Sequence, residues 1–117
     1  MTYKDLRVWQ KADELAFEIY RMTKKFPKDE MYGITSQLRR AALSVPTNIV
    51  EGYARKGDKE LSRFVSISIG SLAEVEYLLT FARRLGYFTD RDYIIADALR
   101  SETGSLLWTF YKKVLAS

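Results

Sequence analysis

The segment QLRRAALSVPTNIVEGYAR, from Gln37 to Arg55, predicts a helix that carries a polar stripe beside its apolar one. Side chains three or four residues apart lie on the same face of an α-helix. The polar positions keep that spacing throughout the segment: Gln37, Arg40, Ser44, Asn48, Glu51 and Arg55. Such a stripe is either a polar contact with a second helix or a binding site.

The rest of the chain also has a helical pattern. Apolar residues recur every three or four positions in four segments, which indicates amphipathic helices. Pro27, Gly57 and Gly86 separate these segments, because proline and glycine commonly end helices. The predicted helices are Asp5–Lys25, Gly33–Lys56, Asp58–Leu85 with Asp58 as its N-cap, and Thr89–Leu115. Pro46 lies inside the second of them, where the missing N–H predicts a kink.

Four helices of similar length with short connections predict an all-α fold. The expected architecture is an antiparallel up-down-up-down four-helix bundle, with residues 1–117 forming a single domain. A chain of 117 residues with 47% hydrophobic and 29% charged residues is long enough to bury a core.

Composition also bears on location. No uncharged apolar run approaches the roughly 20 residues that cross a bilayer, so we expect no membrane span. The N-terminal residues carry charges throughout and have no signal-peptide core. The absence of cysteine fits a reducing compartment, and we expect a cytoplasmic protein.

The chain contains no histidine and no cysteine. Di-iron bundles require a Glu-x-x-His pair, and the common hydrolase triads require histidine or a thiolate. No glycine-rich phosphate loop, dinucleotide fingerprint or nucleophile elbow is present. We therefore expect a protein that is not an enzyme, with no catalytic residue, cofactor or metal. The alternative is an all-carboxylate metal site around Glu51 and Glu74.

A pairing argument suggests a partner for the polar stripe. The third predicted helix carries its own stripe: Arg63, Ser66, Gly70, Glu74 and Tyr77. In an antiparallel hairpin, residues that face each other have numbers with a constant sum. The two stripes then pair in register: Glu51 with Arg63, Asn48 with Ser66, Ser44 with Gly70, Arg40 with Glu74, and Gln37 with Tyr77.

These ten residues form what we call the polar seam. One interpretation is a structural or subunit-interface network in which each charge has a partner, because an unpaired buried charge is costly. On that interpretation, Arg40→Ala impairs folding or assembly before it impairs RNA binding. The other interpretation is that part of the seam is exposed and binds a ligand, such as an RNA phosphate backbone.

Basic residues outside the seam are the stronger candidates for nucleic-acid binding. The net charge is +4, from 19 basic and 15 acidic residues, which is only mildly basic. The candidates form two groups, one placed near the turn between the second and third helices and one at the opposite end: Arg39, Arg55, Lys56 and Lys59, and then Lys24, Lys25 and Lys28. Lys112-Lys113 and Arg83-Arg84 add isolated pairs. Each group is either a solvated helix end or a phosphate contact.

Three stretches resemble a known family: LRVWQKADELAFEIY, FPKDEMYGITSQLRRAALSVPTNIVEGYAR and ELSRFVSISIGSLAEVEYLL. They are similar to the four-helix-bundle proteins encoded within intervening sequences of bacterial 23S rRNA genes, which are small, basic and ribosomal-protein-like. That family is similar in fold to the accessory protein of diversity-generating retroelements, a pentameric barrel that binds nucleic acid and reverse transcriptase.

The resemblance implies a homo-oligomer, with a pentamer favoured, and an RNA-linked context without a defined activity. Two hypotheses follow. The first is a non-enzymatic RNA-associated protein, and the second is a scaffold that docks a protein partner without direct nucleic-acid binding.

Overall fold

The computed structural model describes all 117 residues and contains four α-helices and no strand. The helices are α1 (Arg7–Met22), α2 (Ile34–Ala54), α3 (Asp58–Arg84) and α4 (Asp90–Ala116). Short 3-10 turns flank α1 and precede α2, at Tyr3–Asp5, Thr23–Lys25 and Lys28–Glu30. The all-α prediction is confirmed, and each predicted helix end lies within about one turn of the observed one.

Local chemistry sets the helix ends. Gly57 and Gly86 have φ values of +89° and +80°, a region that favours glycine. After α3, the N–H of Tyr87 donates to the carbonyl of Ala82 at 3.0 Å, and the N–H of Gly86 donates to that of Arg83, which is a Schellman motif.

The start of α3 differs slightly from the prediction. Gly57 occupies the N-cap position, and Asp58 is the first helical residue. A carboxylate in the first turn still favours the helix, because the N-terminus carries a partial positive charge. The second predicted helix continues unbroken through Pro46.

Contacts between neighbouring helices run antiparallel around the bundle. α1 and α4 illustrate the direction: Lys11 pairs with Glu102, and Lys25, in the turn that follows α1, pairs with Asp92 near the start of α4. Ser44 meets Ser71 between α2 and α3, and Glu76 meets Arg100 between α3 and α4. The up-down-up-down order places the start of α1, the α2–α3 turn and the end of α4 at one end of a molecule that measures 44 × 24 × 22 Å.

The core combines apolar side chains from all four helices. Leu15, Leu38, Leu79 and Leu107, one from each helix, are fully buried. α2 and α3 pack closely at Gly52, where an added Cβ would lie 2.9 Å from the Cβ of Phe64.

α3 is long and apolar enough to cross a membrane by length and composition alone. A helix in the core of a bundle meets the same criterion. Only 39% of its apolar window is buried here, so the outward side of α3 exposes apolar side chains. The most exposed of the aromatic ones is Tyr77, whose ring lies 6.1 Å from that of Phe81.

Candidate functional site

The α2 half of the polar seam forms a small hydrogen-bond network. The hydroxyls of Ser44 and Ser71 lie 2.9 Å apart and link α2 to α3. The Asn48 amide donates to the Ser44 hydroxyl at 2.9 Å and to the Ser44 carbonyl at 2.8 Å. Ser44 was predicted to face Gly70, and its observed partner, Ser71, is the next residue along α3.

The α3 half of the seam points elsewhere. Ser66, Gly70 and Tyr77 are exposed, and a Cβ added at Gly70 would meet no atom within 4 Å. The predicted pairing of Gly70 with Ser44 is therefore wrong. α3 buries Ser68, whose hydroxyl donates to the carbonyl of Val45 at 2.8 Å, and leaves the residues of the predicted stripe on its solvent side.

The predicted ion pair between Glu51 and Arg63 does not form. Arg63 donates to Glu60, three residues earlier in the chain, at 3.0 Å. Arg55 pairs with Glu51, four residues earlier, at 3.7 Å. A partner three or four residues away on the same helix is already within reach, so it competes with a partner on the next helix. The hydrogen bond from Arg63 lowers the pKa of Glu60 below its usual value of 4.5.

The predicted pair of Arg40 and Glu74 does not form either. Both side chains are exposed, and neither has an oppositely charged partner within 4.0 Å. They line an open groove of about 420 Å³ between α2 and α3, together with Gln37, Ala41, Ser44 and Ser71. The seam is thus not a closed network of paired charges but a polar groove with charges of both signs.

Three of the predicted nucleic-acid-binding residues are already engaged. Arg39 donates to the Thr23 hydroxyl at 2.8 Å and to the Tyr20 carbonyl at 3.2 Å, so it lies by the end of α1 and not near the α2–α3 turn. Arg55 has two carboxylate neighbours, Glu51 and Glu60. Lys25 pairs with Asp92 across the bundle at 3.2 Å.

The other four predicted residues have exposed side chains without an ion pair. Lys56 and Lys59 flank Gly57 at the α2–α3 turn, and Lys24 and Lys28 lie near the end of α1, at the opposite end of the molecule. These lysines remain available to an anionic ligand.

The fold adds basic residues that the sequence pattern did not group with them. Lys4, Arg7, Lys112 and Lys113 are exposed, form no ion pair and come from the two ends of the chain. An even number of antiparallel helices returns the chain to its starting end, next to the α2–α3 turn. We call this set the basic end: Lys4, Arg7, Lys56, Lys59, Lys112 and Lys113. The predicted number of helices already implied that Lys112 and Lys113 lie near Lys56 and Lys59, and could have added them to the predicted group.

A groove lies between α1 and α4 at the basic end. Its volume is about 240 Å³, and it combines apolar side chains with two cations. The lining residues are Leu6, Arg7, Val8, Ser105, Leu106, Thr109, Phe110 and Lys113.

Acidic residues do not converge on a metal-binding geometry anywhere in the molecule, since no group of three is suitably placed. The alternative metal hypothesis named Glu51 and Glu74. Glu51 pairs with Arg55, whereas Glu74 lines the α2–α3 groove.

A model of the 23S rRNA-intervening sequence protein family matches residues 4–109. The chain belongs to this family. The chain has the same fold as a protein of unknown function from the S23 ribosomal protein family of Bacteroides thetaiotaomicron, whose crystal structure matches it with a TM-score of 0.82. The two proteins are 24% identical, and the alignment covers 90% of this chain and 95% of the other, so the likeness shows the fold alone. A search of curated proteins found no significant match.

Proposed function

We propose that this chain is a non-enzymatic, cytoplasmic RNA-associated protein that contacts the phosphate backbone through its basic end and acts as a homo-oligomer. The observation that carries the proposal is the collection of six unpaired basic side chains, from three separate parts of the chain, at one end of the bundle. Membership of a family named for 23S rRNA intervening sequences supports RNA as the polyanion.

Local carboxylates do little to neutralise this end. Asp5 accepts a hydrogen bond from the N–H of Thr2 at 2.8 Å, and Glu60 is held by Arg63. Asp58 is exposed between Lys56 and Lys59 and forms no ion pair, so it offsets one of their two charges, but the six cations of the basic end outnumber it. Phosphate contacts of this kind release counterions, so binding weakens steeply as salt rises.

Two exposed apolar surfaces support self-association. Phe17, which is 69% exposed, lines a cleft of about 380 Å³ between α1 and α2 with Tyr20 and Leu43. Tyr77 and Phe81 form the second surface on α3, the helix diagonally opposite α1. A contact between two different surfaces of identical chains is heterologous and closes into a ring when the rotation permits. The pentamer is the count favoured by resemblance, and a ring would repeat the basic end around its axis.

The RNA proposal is tested by charge reversal at the basic end. We expect the double variant Lys56→Glu/Lys59→Glu to bind a structured rRNA fragment more weakly and to reduce the slope of log affinity against log salt by about 2. The matched control, Lys24→Glu/Lys28→Glu, makes the same charge change at the opposite end and should have a smaller effect. Affinity that is insensitive to salt, or unchanged by the first double variant, would refute the proposal.

Self-association is tested by native mass spectrometry. Phe17→Glu places a charge in the α1–α2 cleft and should shift the protein to smaller species. Tyr32→Glu is the control, because Tyr32 is 97% exposed and belongs to neither apolar surface. A wild-type chain that is monomeric at micromolar concentration contradicts the oligomer proposal.

The α2–α3 groove favours a second candidate function, that of a protein-binding adaptor. Its lining includes one basic and one acidic side chain, Arg40 and Glu74, a combination suited to a polar protein surface rather than to a polyanion. An identified partner that copurifies in fixed stoichiometry after nuclease treatment, and is lost with Arg40→Glu, would support this function over RNA binding.

A further inference from the structure

We infer that the groove between α1 and α4 at the basic end binds one unpaired nucleotide of an RNA strand, with the base against Phe110 and the phosphate between Arg7 and Lys113. This inference rests on the proposed RNA-binding function and names the part of the RNA that the groove takes.

The floor of the groove is apolar and held by the core. Val8 is buried, and Leu6, Leu106 and Phe110 are half-buried side chains that pack against the main hydrophobic cluster. Their positions are therefore fixed by packing and do not depend on the ligand. A preformed apolar floor with an aromatic edge suits a flat, weakly polar group such as a nucleobase.

The rim of the groove is positive. Arg7 and Lys113 are exposed and form no ion pair, and none of the eight lining residues is acidic. The carboxylates one turn away are already engaged, because Lys11 contacts Glu102 at 3.2 Å and Glu14 at 3.5 Å. The hydrogen bond to Glu102 is the main cause of a raised pKa for Lys11.

The other grooves lack this combination. The α2–α3 groove contains Glu74, which would repel a phosphate, and its lining has no aromatic residue. The α1–α2 cleft has aromatic side chains, but its charged lining residue is Asp13. The α1–α4 groove joins cations to an aromatic floor, which are the two features that proteins use to bind single-stranded nucleic acid.

The geometry of the groove predicts that it binds single-stranded and not double-stranded RNA. A base can reach Phe110 only after it leaves its stack, since the bases of an A-form duplex are stacked and paired. The groove should therefore add affinity for single strands and none for duplexes, whereas Lys56 and Lys59 contact phosphates in either.

The test compares a fluorescently labelled oligouridylate with a duplex of the same length, using fluorescence anisotropy and the full-length protein. We expect Phe110→Leu, which keeps an apolar side chain but removes the ring, to weaken single-strand binding by roughly 5-fold or more, the lower bound for loss of one base stack. Duplex affinity should not change, and Phe110→Tyr should retain single-strand binding because it keeps the ring.

Arg7→Ala tests the rim. It should weaken single-strand binding and lower the salt slope by about 1. Its control is Arg91→Ala, since Arg91 is also exposed and unpaired but lies in the first turn of α4 at the opposite end. Equal losses from Arg7→Ala and Arg91→Ala would contradict a site in this groove.

Failure of the inference can be told apart from failure of the proposed function. If Phe110→Leu and Arg7→Ala bind the oligouridylate like wild type while Lys56→Glu/Lys59→Glu does not, the groove is not a nucleotide site and RNA binding stands. If the wild-type protein binds neither single strand nor duplex, both proposals are wrong. If Phe110→Leu does not fold, as judged by circular dichroism, Arg7→Ala decides the question: a larger loss for the single strand than for the duplex supports the groove, and equal losses contradict it.

Discussion

Substituting alanine for glycine should have opposite effects at two positions of the α2–α3 hairpin. At Gly52, the new Cβ would lie 2.9 Å from the Cβ of Phe64 and 3.1 Å from Cδ1 of Leu61. Because the Phe64 Cβ is attached directly to the backbone of α3, the two helices must move apart. At Gly70, the new Cβ would meet nothing within 4 Å.

The magnitudes follow from two terms. Alanine is favoured over glycine inside a helix by roughly 1 kcal/mol, and both variants gain this term. Overpacking costs about 1–3 kcal/mol and applies only to Gly52→Ala. We therefore expect Gly70→Ala to be more stable than wild type by about 0.5–1 kcal/mol. Gly52→Ala should be less stable than Gly70→Ala by about 1–3 kcal/mol, since the helix-propensity term cancels between them.

Urea unfolding followed by circular dichroism measures both free energies. The measurement should be made at two protein concentrations, because self-association makes the unfolding midpoint depend on concentration. A difference of 1 kcal/mol corresponds to roughly 3–5 °C in melting temperature for a domain of this size. If the two variants are stabilised equally, α2 and α3 do not approach closely at Gly52 and the packing described above is wrong.

Further predictions concern two neighbouring arginines and one tyrosine. Arg39→Ala should cost about 1–2 kcal/mol of stability in thermal unfolding, because it removes hydrogen bonds at the end of α1 and the stacking of Arg39 over Tyr20. Arg40→Ala should stay within about 0.5 kcal/mol of wild type, and a loss as large as that of Arg39→Ala would show that Arg40 has a structural partner. The hydrogen bond that Tyr87 donates to Glu30 at 2.7 Å raises the pKa of Tyr87 above 10.0. The stability it provides is complete below pH 10.0 and is lost as pH rises through the raised pKa. Tyr87→Phe should therefore be less stable than wild type at neutral pH, and that gap should close in strong alkali. A gap that is unchanged at high pH would mean that Tyr87 does not lose this bond on ionisation.

The sequence predicted the helices well because strong local signals mark their ends. Gly57 and Gly86 adopt the positive φ values that favour glycine, and Thr89 caps α4 by accepting a hydrogen bond from the N–H of Asp92 at 3.1 Å. These features depend on a few adjacent residues, so they can be read without knowledge of the rest of the fold.

The direction of the α3 stripe could not be predicted in the same way. Regular spacing shows that Ser66, Gly70 and Tyr77 share a face, but it does not show which way that face points. α3 buries Ser68 together with several of its apolar residues, and the stripe lies on the solvent side. The choice depends on packing against two other helices, where Gly52 admits Phe64, and not on the pattern within α3.

The same limit applied to the candidate site. Pairing Arg63 with Glu51 required a contact across two helices, while the observed partner, Glu60, is one turn away. Arg7 and Lys113 are far apart in sequence, and nothing near either residue indicates that they border one groove. Only the closure of α1 against α4 brings them together.

Both chain termini lie at the basic end, because four antiparallel helices return the chain to the end at which it began. Extra sequence attached to Met1 or Ser117 thus starts beside Lys4 or Lys113, where an acidic tag would compete with RNA and a polyhistidine tag would add charge in mild acid. The turn at Gly86 lies at the far end of the 44 Å long axis, where the side chain of Arg84 is exposed. A label or surface attachment placed in that turn would leave the basic end and the α1–α4 groove open to solvent.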